Sequence, residues 1–458
     1  MKRTCLLPVV LVLFVFTGVA QQEDTTLLSL PEFQFLRADE NYLFLRDNQG
    51  LQGIWQKMKY LPIGDNSFVS IGGDIRSEFQ VLNNEDWAES NDDAALFQRL
   101  MLHTDWRFGE HLRVFGQLKN GFTIGRNGPK FPLDDDDLDV HQLFIGLELG
   151  NSTFEIGRRE IRYGARRLIS VREGTNIRQS FDGARWIWKG QQHQFDALIY
   201  AYNPQRTGVF DNAINTDQLL WGGYWVWNVP KAQDLNFDVY YLGVRNDASS
   251  FEEGNDQETR HSFGLRHWGS QGRWRYNNEA IFQAGSYGNG NIRAWTISTD
   301  TYFRFPGKSS PTLGLKAEVI SGDDDPLDGD LQTFNPLYPR GGYFGLLALI
   351  GPANIFDLHP SFSLSFGESL QLSLDWDFFW RHRLNDGIYF PSGRLNVSGQ
   401  GAVERFIGHQ PGVQLSYVIN PYFEIETSYF LFIAGDFIDE VADGQNFSQL
   451  GLSISIKY

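Results

Sequence analysis

A polar–apolar alternation with a period of two, sustained from about Phe68 to Tyr458, limits this chain more than any other feature of its sequence. In Asp74–Val81, one face carries Asp74, Arg76, Glu78 and Gln80, and the other Ile75, Phe79 and Val81. Leu96–Phe108 sets Arg99, His103, Asp105 and Arg107 against Leu100, Leu102, Trp106 and Phe108. In Leu370–Arg383, Gln371, Ser373, Asp375, Asp377, Arg381 and Arg383 oppose Leu372, Leu374, Trp376, Phe378 and Trp380. The final segment sets Gln449, Ser453, Ser455 and Lys457 against Leu450, Leu452, Ile454, Ile456 and Tyr458. Helical periodicity is almost absent, and 15% aromatic residues with 47 glycines lean the same way, towards strands and turns. The single cysteine excludes a disulfide scaffold and thiolate metal sites.

A sandwich alternates too, so the connections have to discriminate. Short turns occur at Gly109-Glu110, Gly150-Asn151, Gly190-Gln191, Val229–Asp234, Gly269–Gly272, Pro306–Pro311, Gly367–Ser369 and Asn420-Pro421. Between them lie long polar loops near 82–95, 123–140, 164–180, 203–217, 246–259, 285–292, 321–354, 384–404 and 435–446. Short turns at one rim and long loops at the other describe a single antiparallel transmembrane β-barrel of the bacterial outer membrane, an all-β fold. The segments count to about 18 strands, with periplasmic turns, extracellular loops and both barrel ends on the short-turn side. Trp106, Trp376 and Trp380 suit interfacial girdles, and the alternating run into Tyr458 resembles the ending read by the barrel insertion machinery. No 20–50-residue repeat supports a soluble β-helix or propeller.

The N-terminus points to export. Lys2 and Arg3 precede the apolar run Leu6–Ala20, and Gly18-Val19-Ala20 supplies small residues before Gln21, the order of a secretory signal peptide. The run is too short for an anchoring helix, and a mean hydropathy of −0.34 argues against helical spans elsewhere. The expected organisation is a signal peptide over 1–20, an N-terminal segment over 21–67 that enters or caps the pore, and a barrel over 68–458. Within the segment, Trp55–Tyr60 reads as helical. Cleavage removes two cations and takes the net charge from −17 to −19. An acidic sequence of pI about 5.0 makes nucleic acid an unsuitable partner.

Charge is distributed unevenly. Acid gathers in predicted loops at Asp134-Asp135-Asp136-Asp137, Glu252-Glu253 and Asp323-Asp324-Asp325. Arginines recur on inward strand faces at Arg76, Arg99, Arg107, Arg113, Arg266, Arg273, Arg381 and Arg383. Eight more crowd together as Arg158, Arg159, Arg162, Arg166, Arg167, Arg172, Arg178 and Arg185. A constriction's field depends on its local residues, so an acidic protein can still hold a cationic, anion-selecting pore. Guanidinium forks also suit carboxylates. The competing reading pairs these arginines with Asp74, Glu78, Asp105, Glu155, Glu160, Asp182, Asp375 and Asp377 in a network that only stiffens the wall. The four-aspartate run reads as a solvated loop, because a calcium site would show spaced ligands.

Several phrases follow in order along the mature chain: Lys59–Ile63 leading into Gly72–Arg76, Gly157–Gly164 with Arg167-Leu168-Ile169, Arg178–Arg185, Asn335–Gly345, and Ala434–Phe437. Together they resemble the alginate export family of outer-membrane barrels. The resemblance implies an 18-stranded barrel whose basic constriction passes the polyuronate alginate. By matching position it makes Arg76, Arg158, Arg167, Arg178, Arg185 and Arg340 lumen candidates, oriented by Asp182 and Glu160. Gly157-Arg158-Arg159 departs from the family's Gly-Arg-Gln and changes the wall locally. With the inward arginines added, the expected pore-lining set is Arg76, Arg99, Arg113, Arg158, Arg159, Arg167, Arg178, Arg185, Arg340, Arg381, Glu160 and Asp182. No metal or cofactor is expected.

The function expected is passive passage of anionic polysaccharide or sugar acids, with anionic polysaccharide or oligosaccharide as the partner. Lipid, lipopolysaccharide, the insertion machinery and periplasmic export proteins are the other expected partners, and the barrel is expected to be a monomer. A general diffusion porin with weak selectivity is the alternative. An enzyme is a third reading, but the nine histidines sit in no Gly-x-Ser-x-Gly or His-Glu-x-x-His context.

Overall fold

A computed structural model describes residues 33–46, 53–127, 130–230 and 234–458. The signal-peptide reading at 1–20 lies outside the described residues. Eighteen long strands follow in chain order: β1 (Ser67–Asn83), β2 (Asp93–Phe108), β3 (Leu112–Ile124), β4 (Asp136–Leu149), β5 (Ser152–Arg159), β6 (Phe181–Lys189), β7 (His193–Tyr202), β8 (Gln218–Asn228), β9 (Leu235–Phe251), β10 (Gly254–Gln271), β11 (Trp274–Tyr287), β12 (Gly290–Arg304), β13 (Thr312–Ile320), β14 (Ile355–Phe366), β15 (Leu370–Arg381), β16 (Phe406–Asn420), β17 (Phe423–Ala434) and β18 (Phe447–Lys457). Each pairs antiparallel with its neighbours, and β1 pairs with both β2 and β18, which closes the sheet into a barrel. Closure leaves no edge between the ends of the chain: Asp74 to Asn83 run in register against Lys457 to Ser448.

The wall is inside out relative to a soluble protein. On β2, Leu100, Leu102 and Trp106 are exposed while Arg99, His103 and Asp105 are buried. Ile145, Ile156, Ile199, Leu265 and Ile297 are likewise exposed around the ring, each more than half accessible. Such a band is stable only against lipid, which fixes which face is outermost. The tight turns need residues that tolerate φ > 0, and Gly109 and Gly150 meet this at φ +60° and +58°.

The other rim departs from the sequence reading in two places. The loops expected at 246–259 and 285–292 are strand: β9 and β10 continue to the pair Phe251↔Gly254, and β11 and β12 to Tyr287↔Gly290. Beyond the lipid no alternation is required, so their polar composition reads as loop. The β9–β10 tip is instead buried against another loop, where Glu252 accepts hydrogen bonds from Gly399 N (3.1 Å) and Ser398 Oγ (2.5 Å).

The acidic runs are not simply solvated either. Asp136 lies in β4, fully buried, 2.9 Å from Lys119 Nζ, and Asp323 is fully buried. The largest difference is inside the barrel. Two long connections, 160–180 and 321–354, fold into the lumen and meet there: Ser170 N donates to Tyr338 O and Tyr338 N to Leu168 O, both at 2.8 Å. Ile161, Leu168, Ile169, Phe334, Leu337 and Phe344 pack with wall residues such as Leu220, Tyr240 and Phe379 into an apolar core. The lumen is therefore partly filled by the protein's own loops.

Candidate functional site

Between the inward loops and the wall remains a cavity of about 730 Å³. Its lining carries seven cations, Arg37, Arg76, Arg99, Arg166, Arg178, Arg340 and Lys457, and five carboxylates, Asp74, Glu78, Glu173, Glu424 and Glu426. β1 and β2 supply Arg76 and Arg99, loop 160–180 supplies Arg166, Glu173 and Arg178, and loop 321–354 supplies Arg340.

Glu173 is the hub. Its carboxylate takes Arg178 Nε at 3.0 Å, pairs with Arg99, and stands 3.9 Å from Arg76 Nη1. Arg76 also donates to the carbonyls of Glu173 (3.1 Å) and Thr175 (2.9 Å), which pins the loop to β1. Burial alone would raise the Glu173 carboxyl, but Arg178, Arg99 and Arg76 together outweigh it and hold it well below the usual carboxylate range. Arg178 reaches a second carboxylate, Glu160, at 2.8 Å, and Glu160 in turn meets His141 Nε2 at 2.8 Å. Arg166 and Arg340 differ. Neither forms an ion pair among the described residues: Arg340 donates to Tyr343 O at 2.9 Å, and Arg166 stands over the Phe35 ring.

Phe35 belongs to the segment that precedes the barrel. Its ring lies under Arg162, Arg178 and Arg166 at 4.7, 5.2 and 5.6 Å. Arg37 fastens the segment to the barrel, donating to Gly73 O (2.9 Å) and Tyr458 O (2.7 Å), while Arg113 donates to Ala38 O (2.7 Å). The helix expected near Trp55–Tyr60 is α1 (Ile54–Lys59). Lys59 closes it, with Nζ donating to Ile71 O at 3.1 Å, and burial lowers its ammonium to about 8.

The remaining sequence candidates stand elsewhere. Arg158 and Asp182 face each other across β5 and β6 and form a two-pronged pair at 2.8 and 3.0 Å. Arg159 and Arg185 both engage Glu155, and Arg113 pairs with Asp105 at 2.7 Å. Arg167 is buried between Glu279 and Glu318, each at 3.0 Å, and locks loop 160–180 to the far wall. For these arginines the geometry matches the wall-stiffening reading. Arg381 is fully buried at the loop rim and donates to the carbonyls of Leu384, Ala402 and Glu404. Arg381→Ala leaves several buried carbonyls unpaired and is expected to cost about 3 kcal/mol. It should lower the temperature of gel-monitored unfolding while the reversal potential in bilayers stays unchanged.

Residues 67–449 match the family model described as alginate export, most of the chain. The chain belongs to the alginate export family. No curated protein matches it in sequence. Solved structures share the fold at low identity. The outer-membrane protein OpdK of Pseudomonas aeruginosa is 13% identical, with a TM-score of 0.60 over 87% of this chain and 99% of that one. A BenF-like porin from Pseudomonas fluorescens Pf-5 is 11% identical, with a TM-score of 0.60 over 85% and 98%. OccK2 (OpdF) of Pseudomonas aeruginosa, solved in complex with glucuronate, is 13% identical, with a TM-score of 0.57 over 89% and 99%. Family and fold together make this member of the alginate export family an outer-membrane channel protein, located in the bacterial outer membrane, and its family and fold are those of channels rather than enzymes.

Proposed function

We propose that this family member conducts anionic sugars, with polyuronate chains as the substrate class, and that the cationic face of the lumen cavity is its selective element. The carrying observation is that Arg166 and Arg340 line the cavity without a carboxylate partner, beside three arginines that share Glu173. A passing uronate can pair with them without displacing an internal anion, and no single pairing is strong enough to trap a chain that moves from one to the next. OccK2, a barrel of the same fold, was solved with glucuronate, a sugar acid of this class.

A second observation favours the general-porin alternative. Glu78 and Glu426 flank Ser453 on neighbouring strands, with Glu424 nearby, so the cavity has an acidic face as well. Planar-bilayer recording under a KCl gradient, titrated with polymannuronate, polyguluronate and a neutral oligosaccharide, separates the two. Anion preference with block by uronates alone supports the selective channel, and weak selectivity without block leaves the porin.

Glu173 makes a further prediction. Its folded pKa lies below the unfolded value, so its contribution to loop packing is complete above the unfolded value of 4.5 and is lost only as pH falls towards the depressed one. Acidification from about pH 8 to about pH 5 should therefore leave it ionised and unable to raise anion preference, whereas Glu173→Gln should raise that preference at every pH in the range. A Glu173→Gln channel with unaltered reversal potential would remove Glu173 from the selective element.

A further inference from the structure

Away from the arginine face, β14 and β15 carry a group that the channel reading does not use. Asp357, His359 and Asp377 each place one ligand atom so that all three lie within 4.8 Å of one another. Asp377 is fully buried and Asp357 is 4% exposed, yet none of their four carboxylate oxygens receives a hydrogen bond. His359 Nδ1 contacts Asp377 Oδ1 without an aligned hydrogen bond, and its Nε2 stands 3.9 Å from Asp375. Two buried carboxylates that converge without donors need either a positive partner or a shared proton.

Lys316 and Arg340, the neighbouring cations, form no ion pair with these two aspartates and turn their hydrogen bonds to a backbone carbonyl. Lys316 is the cross-strand partner of His359 on β13, but its ammonium donates to Tyr343 O at 3.2 Å and lies over Phe344 at 4.8 Å. It makes no ion pair within 4.0 Å among the described residues. Arg340 is turned to the same Tyr343 carbonyl. Glu318, which faces Asp357 in register, is already neutralised by Arg167.

We propose that Asp357, His359 and Asp377 bind one divalent first-row transition ion, Zn²⁺ or a close relative. One imidazole and two carboxylates suit this class, and three protein ligands leave a position open for water. Ligand atoms around a tetrahedral ion with bonds of 2.0–2.1 Å stand about 3.3 Å apart, so small side-chain rotations complete the set. Loop 321–354 covers the place: a Cβ at Gly345 would stand 2.2 Å from Gln410 Nε2 and 3.8 Å from Asp377 Oδ2. The ion thus joins β14 and β15 beneath the inward loop, in the wall of the lumen.

The test uses the untagged mature chain refolded in detergent, dialysed against about 100 µM ZnCl₂ and then assayed for bound zinc by mass spectrometry, with Co²⁺ absorption as a spectroscopic probe. One zinc per chain is expected, with affinity reduced at least about tenfold in both His359→Gln and Asp377→Asn. Heat-modifiable migration on gels checks that both variants remain folded barrels. Binding that is equally tight in both variants, or no zinc on a folded wild-type barrel, overturns the site. So would a gain in thermal stability of the Asp357→Asn variant in EDTA combined with no zinc uptake by the wild type, which would identify a carboxyl pair sharing a proton.

Discussion

Arg166→Ala combined with Arg340→Ala is expected to weaken block by an oligouronate about a hundredfold, since each charge-assisted hydrogen bond to the solute is worth about 1.5 kcal/mol. The pair is chosen because neither guanidinium holds an internal carboxylate, so removing both strands no buried anion and leaves the loop anchors Arg76, Arg178 and Arg167 in place. The fold should survive, and a bilayer titration reads the change directly. Reversal potential should shift towards neutrality in the same variant, because the seven cations on the cavity become five against five carboxylates. A control at Arg158→Ala separates the proposal from a general effect of losing positive charge. Arg158 is bound on both prongs by Asp182, and its loss should disturb β5 and β6 more than the block. Equal weakening in the control and the double variant would show that the block senses overall charge, not the two guanidiniums that lack a carboxylate partner.

What the sequence made legible follows from which forces act locally. Strand alternation and the 18-strand count were readable because lipid outside and polar lumen inside impose a period of two on every crossing. Asp182 and Glu160 stood among the acids the sequence offered to the arginines, but which arginine each meets, Arg158 across the sheet and Arg178 from the inward loop, is decided by register and loop packing. The inward loops were not readable. Leu346–Ile350 is an apolar run inside a segment read as polar loop, and Leu168-Ile169 is another; each signals burial, but neither reveals against what. Long-range packing decided that outcome. It also decided which arginines face the cavity: Arg159 and Arg178 look alike in sequence, yet the first is buried against Glu155 and the second reaches the hub. Glu173, with no local pattern to mark it, was missed.

Deletion of the segment up to residue 52 in the mature chain is expected to raise single-channel conductance about threefold or more, because an 18-stranded wall encloses an aqueous channel wherever nothing fills it. Phe33, Gln34, Phe35 and Arg37 line the same cavity as the arginines, so their removal enlarges it. The barrel should still close, since the β1–β18 ladder draws on residues 74–83 and 448–457 alone. Phe35→Ala is the finer version. The ring covers three guanidiniums at 4.7 to 5.6 Å; Arg178 stays paired with Glu160 and Glu173, but loss of the ring uncovers Arg162 and Arg166 for solute, so anion preference should rise together with conductance. The two readouts divide the possible roles of the segment. A gain in conductance with unchanged selectivity would make it a steric plug only. A gain in both would make Phe35 a cover over the selective face, which a passing uronate must displace from the arginines before it can pair with them. Unchanged conductance in the deletion would place the segment outside the conducting path, with Arg37 serving only to tie down the chain terminus through Tyr458 O.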